Sequence, residues 1–183
     1  MFISSEKLKD LPTVKTERLV LRPMELDDCE KVVEWRNKDR IFKMSYQGEP
    51  FTLEKQMEWF LQTRDSRVDY ILMFDGIPIG SFAFKPFDWD LGRSAEQSRY
   101  IGEDWALGKG YVKEASRAWT KLGFDLGLDA IFAVCRSDNG ATNHINKRNG
   151  FEEVGRERHD GHEWIILCLK RRDYNLYNTG EGR

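Results

Sequence analysis

Leu107-Gly108-Lys109-Gly110-Tyr111-Val112, read together with Asn139, Thr142 and the later run Lys147-Arg148-Asn149-Gly150-Phe151, decides the fold. A Gly-x-Gly turn that leaves a strand and enters a helix aims free backbone N–H groups and the positive end of the helix dipole at one point. Such a point binds phosphate, and glycine is wanted there because a Cβ would hold the anion off the backbone. Two familiar phosphate loops do not fit. The dinucleotide fingerprint would need glycine at Lys113, and the P-loop spacing GxxxxGK[S/T] is missing.

Working outward, Glu17 to Pro23 alternates apolar and polar residues and stops at proline, the pattern of a first strand. Asp27 or Asp28 can cap a helix that runs to Asn37, with Val32, Val33 and Trp35 on its apolar face. Thr52 caps a second, in which Met57, Phe60 and Leu61 fall at helical spacing. Asp69 to Phe74 and Ile77 to Phe84 read as strands joined at Asp75-Gly76, a hairpin dipeptide, and a further strand spans about Ala95 to Gly102. The connection Lys85 to Ser94 is long enough to build part of a site. A helix then runs from the glycine turn to Gly127, followed by a strand Ala130 to Cys135 and a short helix Thr142 to Asn149 ended by Gly150. A last hairpin pairs Phe151 to Arg158 with Trp164 to Leu169 across Asp160-Gly161, and the polar tail from Lys170 is expected to fray. The order implies an α+β domain on a mixed, mostly antiparallel sheet.

The two glycine-containing segments together resemble the GNAT superfamily of acetyl-CoA-dependent N-acetyltransferases. Its pyrophosphate loop reads Arg/Gln-x-x-Gly-x-Gly/Ala, and Gly110 to Ala115 is similar to the family's helix entry. The resemblance runs from Thr16 to Tyr174, which divides the chain into an extension 1–15, the acetyltransferase domain 16–174 and a tail 175–183. It implies helices on both faces of the sheet and a splayed strand pair that takes the pantetheine arm of acetyl-CoA near Tyr100 and Ile101. The pyrophosphate would sit on Leu107, Gly108, Lys109, Gly110, Tyr111 and Val112, with Asn139, Thr142 and Asn146 facing the same ligand. Three positions depart from the family. Leu107 stands where Arg or Gln is usual, Val112 where Gly or Ala is usual, and Asn146 where many members carry the tyrosine that protonates the leaving thiolate. Thr142 or a water would then serve as the acid, or the thiolate would leave without a dedicated one.

Attack of an amine on a thioester requires the neutral amine, so a carboxylate usually removes the proton. Glu96 and Glu103, on the strand beside the thioester, are the candidates for that base. Asp88 and Asp90 would attract a cationic acceptor. Trp35, Arg36, Asp88 and Trp89 form the expected acceptor-binding set, in which Arg36, with Arg40, would hold the phosphate of a nucleotide-linked amino sugar. Segments around Trp35 and Tyr100 are similar to that branch and to the acetyltransferases of ribosomal-protein N-termini. The Asp75 to Gly80 hairpin is similar to aminoglycoside N-acetyltransferases. A primary amine, small molecule or peptide N-terminus, is the expected acceptor, and a non-catalytic acetyl-CoA-binding module is the competing class.

At 183 residues one domain is expected. The balance of 40% hydrophobic and 33% charged residues is globular, and a net charge of −2 provides no field for nucleic acid. The start of the chain has no signal-peptide pattern, and no membrane partner is expected, so the expected address is cytoplasmic. A monomer or homodimer is expected. Cys29, Cys135 and Cys168 show no CxxC spacing and read as reduced thiols, and neither His144 nor His162 has ligand-spaced partners for a metal.

Overall fold

The computed structural model describes residues 3, 8–44, 49–86 and 92–179, with side chains through 175. Eight strands form one sheet: β1 (Val14–Lys15), β2 (Leu19–Pro23), β3 (Val68–Phe74), β4 (Ile77–Pro86), β5 (Ser94–Ile101), β6 (Ala130–Arg136), β7 (Glu152–His159) and β8 (His162–Lys170), in the spatial order β1-β2-β3-β4-β5-β6-β8-β7. All neighbours are antiparallel except β5 and β6. The hairpins turn where the sequence places them. Asp75 and Gly76 adopt φ of 48° and 74°, Asp160 and Gly161 48° and 76°, so both dipeptides supply the two left-handed residues of a type I′ turn.

Among the described residues six α-helices accompany the sheet: α1 (Cys29–Arg36), α2 (Asp39–Phe42), α3 (Leu53–Thr63), α4 (Tyr111–Asp125), α5 (Gly140–Arg148) and α6 (Arg171–Thr179). On one face, α4 buries Ala115, Trp119, Leu122 and Phe124 against the main core, with Phe84 and Trp119 stacked at 4.1 Å and 10°. On the other, α1 and α3 bury Val32, Trp35 and Phe60 against Ile71. Cys29, Cys135 and Cys168 are free and buried. None of the helices in the described residues is long and apolar enough to cross a membrane.

Four local expectations are corrected. Asp28 precedes α1 but does not cap it, because its carboxylate is taken by Arg22 (2.7 Å to each oxygen) and by the Glu25 amide. Thr52 does cap α3 and Phe60 is buried as expected, yet Leu61 is 50% exposed and Gln56 takes the other buried place. The short helix α5 starts at Gly140, two residues before Thr142, since the Asn139 side chain accepts the Thr142 amide as its cap (3.2 Å). The tail does not fray at Lys170. It continues as α6, fastened where Arg171 donates to the Phe124 and Leu128 carbonyls (2.6 Å each) and where Tyr174 packs on Phe124.

Candidate active site

The glycine turn enters α4 with Gly108 and Gly110 at φ of 71° and 78°. No side chain caps this helix, so its first amides, which have no intrahelical partner, stay available to an external anion. The turn is held from behind. Glu114 accepts from the Thr16 hydroxyl (2.6 Å) and from the Arg18 amide and Nε (2.8 and 2.7 Å), while the Arg18 guanidinium reaches the Lys109 carbonyl (3.4 Å). Burial alone would raise the Glu114 carboxyl, but these donors together hold it below its ordinary value.

β5 and β6 pair only from Ser94↔Ala130 to Glu96↔Phe132, and beyond that point they part. The gap opens a cavity of about 980 Å³ lined from both faces of the sheet. Val112, Thr142, Ile145 and Asn146 line it on the α4/α5 side, and Val32, Arg36, Gln56 and Trp59 on the α1/α3 side. The cavity thus reaches from the helix-entry side of the sheet to the α1/α3 side through the gap between β5 and β6.

A family model described as an acetyltransferase (GNAT) domain matches residues 18–152. The chain belongs to the GNAT acetyltransferase family. It is 24% identical over 146 residues to the uncharacterized N-acetyltransferase YnaD of Bacillus subtilis strain 168, covering 78% of this chain and 84% of that protein. The fold is shared with a GNAT-family acetyltransferase from Bacillus anthracis, at TM-score 0.74 and 22% identity over 88% of this chain and 99% of that one. The aminoglycoside acetyltransferase AAC(6')-Ib, in complex with coenzyme A, gives the same TM-score and identity over 87% and 99%. The protein is therefore an acyltransferase that uses acetyl-CoA, and the uncapped amides of the glycine turn suit the diphosphate of that donor.

Within this acetyltransferase the expected site residues separate. Arg36, Glu96, Tyr100, Ile101, Leu107, Val112, Asn139, Thr142 and Asn146 all line the cavity, and Gly108, Lys109, Gly110 and Tyr111 form the turn between two of them. Asp88, Trp89 and Asp90 lie outside the described residues. Trp35 is not at the cavity. It is fully buried, and its Nε1 donates to Glu103 (2.9 Å). Glu103 is likewise outside the lining, bound by Lys31 (2.8 Å), and the hydrogen bonds from Lys31 and Trp35 hold its carboxyl below the ordinary range. A carboxylate so engaged fixes the end of β5 and is a poor proton acceptor. Arg40 is also committed, to Asp104 and to the Ile101 and Gly102 carbonyls (2.7 Å each).

Glu96 has the opposite environment. It lines the cavity, it is paired only with Lys85 (3.0 Å) among the described residues, and burial pushes its carboxyl up while Lys85 draws part of the shift back. Tyr100, on the same face of β5, packs edge-on to Trp35, and burial pushes its phenol up to about 12, so it stays neutral. On the α4/α5 side a residue the sequence does not flag takes the central place. Arg99 is half-buried and lines the cavity, its guanidinium donating to the Asn146 side-chain oxygen. Burial lowers it to about 10, which leaves it charged at neutral pH. As an arginine in an alternating strand it reads as solvent-facing, and only the splay of β5 from β6 turns it into a lining group.

Proposed function

We propose that this acetyltransferase acetylates a primary amine that also carries an anionic group, a nucleotide-linked amino sugar being the favoured class, with Glu96 as general base. The observation that carries this reading is the charge pattern of the acceptor side. Each carboxylate lining the cavity, Glu49, Asp69 and Glu96, is paired with a cation, Lys55, Arg67 and Lys85 respectively. Arg36 has no acidic partner among the described residues. It stacks on Phe51 at 3.7 Å, touches Gln56, and is depressed by burial. A desolvated arginine of this kind favours a phosphate or carboxylate and opposes a polycationic drug.

In the reaction the amine nitrogen, once neutral, attacks the thioester carbonyl carbon. Its proton passes to Glu96 directly or through water, and the C–S bond breaks with its electron pair on sulfur. Thiol release on a panel of nucleotide-linked amino sugars, peptide N-termini and aminoglycosides tests the assignment. Glu96→Gln should lower kcat by about 10²–10⁴, partly recovered at high pH. Arg36→Gln should raise KM for the anionic amines alone. Best turnover on aminoglycosides, or a normal pH profile in Glu96→Gln, would refute it. Acetylation of peptide N-termini remains the second reading, since a terminal amine next to an acidic side chain meets the same charge requirement.

A further inference from the structure

Arg99 is a cation for which the described residues provide no counter-ion. Its guanidinium has five N–H donors, and its partner among the described residues is one neutral amide oxygen, that of Asn146. The Cys135 thiol, which acts on it electrostatically, is pushed up by burial and so is neutral. Beside it Gln97, 4% exposed, leaves its Oε1 buried without a hydrogen-bond donor. A guanidinium drawn partly out of water and facing only neutral partners is best completed by an anion. The cavity supplies the route for one: Gln97, Arg99, Cys135 and Asn146 all line it where β5 and β6 part.

Resting on the reading of this cleft as the place where the thioester reacts, we propose that Arg99 is a catalytic residue that receives the departing thiolate of coenzyme A as its counter-ion. The balance of the step requires no further reactant. The C–N bond forms as the C–S bond breaks, Glu96 keeps the amine proton, and the sulfur leaves as an anion that the guanidinium neutralises by charge and hydrogen bonding. The proton that converts it to free thiol is taken from water after transfer. A dedicated acid is then unnecessary, because a thiolate facing a desolvated guanidinium is already a stable leaving group.

The test needs neither the acceptor nor turnover. Free coenzyme A is bound to the protein and its thiol titrated by thiolate absorbance, with desulfo-coenzyme A subtracted to cancel the protein cysteines. An opposite charge within a few Å lowers a pKa by about 1–3 units. The bound thiol is expected to titrate at least one unit below free coenzyme A in the unmodified protein, to return to the free value or above in Arg99→Gln, and to stay low in Arg99→Lys. Coenzyme A affinity at pH 6, where the thiol is neutral, should be nearly equal in all three. A bound thiol that titrates with free coenzyme A in the unmodified protein overturns the proposal, as does an equal depression in Arg99→Gln. Tighter binding of malonyl-coenzyme A than of acetyl-coenzyme A, lost in Arg99→Gln, would also overturn it by giving the guanidinium an acyl carboxylate instead. Failure of coenzyme A to bind would refute the cleft assignment itself, a result distinct from binding with an unshifted thiol.

Discussion

Gly102→Ala is expected to be a severely damaging single methyl group at the end of β5. A Cβ at Gly102 would stand 2.1 Å from both Cδ2 and Cγ of Trp35 and 2.3 Å from its Cε2. Carbon atoms rest at about 3.5 Å or more, so the indole would have to retreat by roughly 1.4 Å. It has little room to do so. Trp35 is fully buried, its Nε1 is fixed on Glu103, and its ring meets the edge of Tyr100. Overpacking a filled core costs about 1–3 kcal/mol, and the loss of the Trp35 to Glu103 bond places this case at the upper end, near 3 kcal/mol. The backbone of residue 102 is itself pinned by its amide on Ile79 (2.8 Å) and by Lys38 and Arg40 on its carbonyl. Urea unfolding followed by tryptophan fluorescence would read the loss. A variant within about 0.5 kcal/mol of the parent, with unchanged fluorescence, would show that the end of β5 is not clamped by Trp35.

The raised carboxyl of Glu96 makes a prediction about stability that is separate from rate. A group whose folded pKa lies above its unfolded value destabilises the fold once it is ionised, and the cost vanishes below the unfolded pKa. Glu96→Gln should therefore be more stable than the parent at neutral pH, with the advantage shrinking as pH falls through the carboxylate range; a pH-independent difference in urea midpoints would refute it. Arg171→Ala should cost about 2 kcal/mol, because two carbonyls at the end of α4 lose a charged donor, and hydrogen exchange should rise selectively in α6. Unaltered exchange there would show that the helix is held by Tyr174 alone.

What could be read from the chain was local. Asp75-Gly76, Asp160-Gly161, the Thr52 cap and the glycine turn each carry their conformation in two to four residues, and all four appear where expected. What escaped depends on partners far apart in sequence. Trp35 and Glu103 each read as site residues, and it is their mutual bond across the α1/β5 junction that withdraws both from the cavity. Arg99 gave no signal because its place in the cavity wall arises from the parting of β5 and β6, which no residue pattern in either strand announces. The polar sequence of α6 hid the helix for the same reason, its anchor being Arg171 on the end of α4.

The hole in the sheet has a kinetic consequence. If the diphosphate sits on the glycine turn and the acceptor beside Arg36, as proposed, the two meet where β5 and β6 part and each can approach from its own face of the sheet. On that reading neither substrate would have to vacate the protein before the other enters, and the acetyl group would be handed across the sheet within one ternary complex. Initial-rate plots at several fixed acceptor concentrations should then intersect instead of running parallel, and each product should leave by the side from which its parent came, so that free coenzyme A competes with acetyl-CoA but not with the amine.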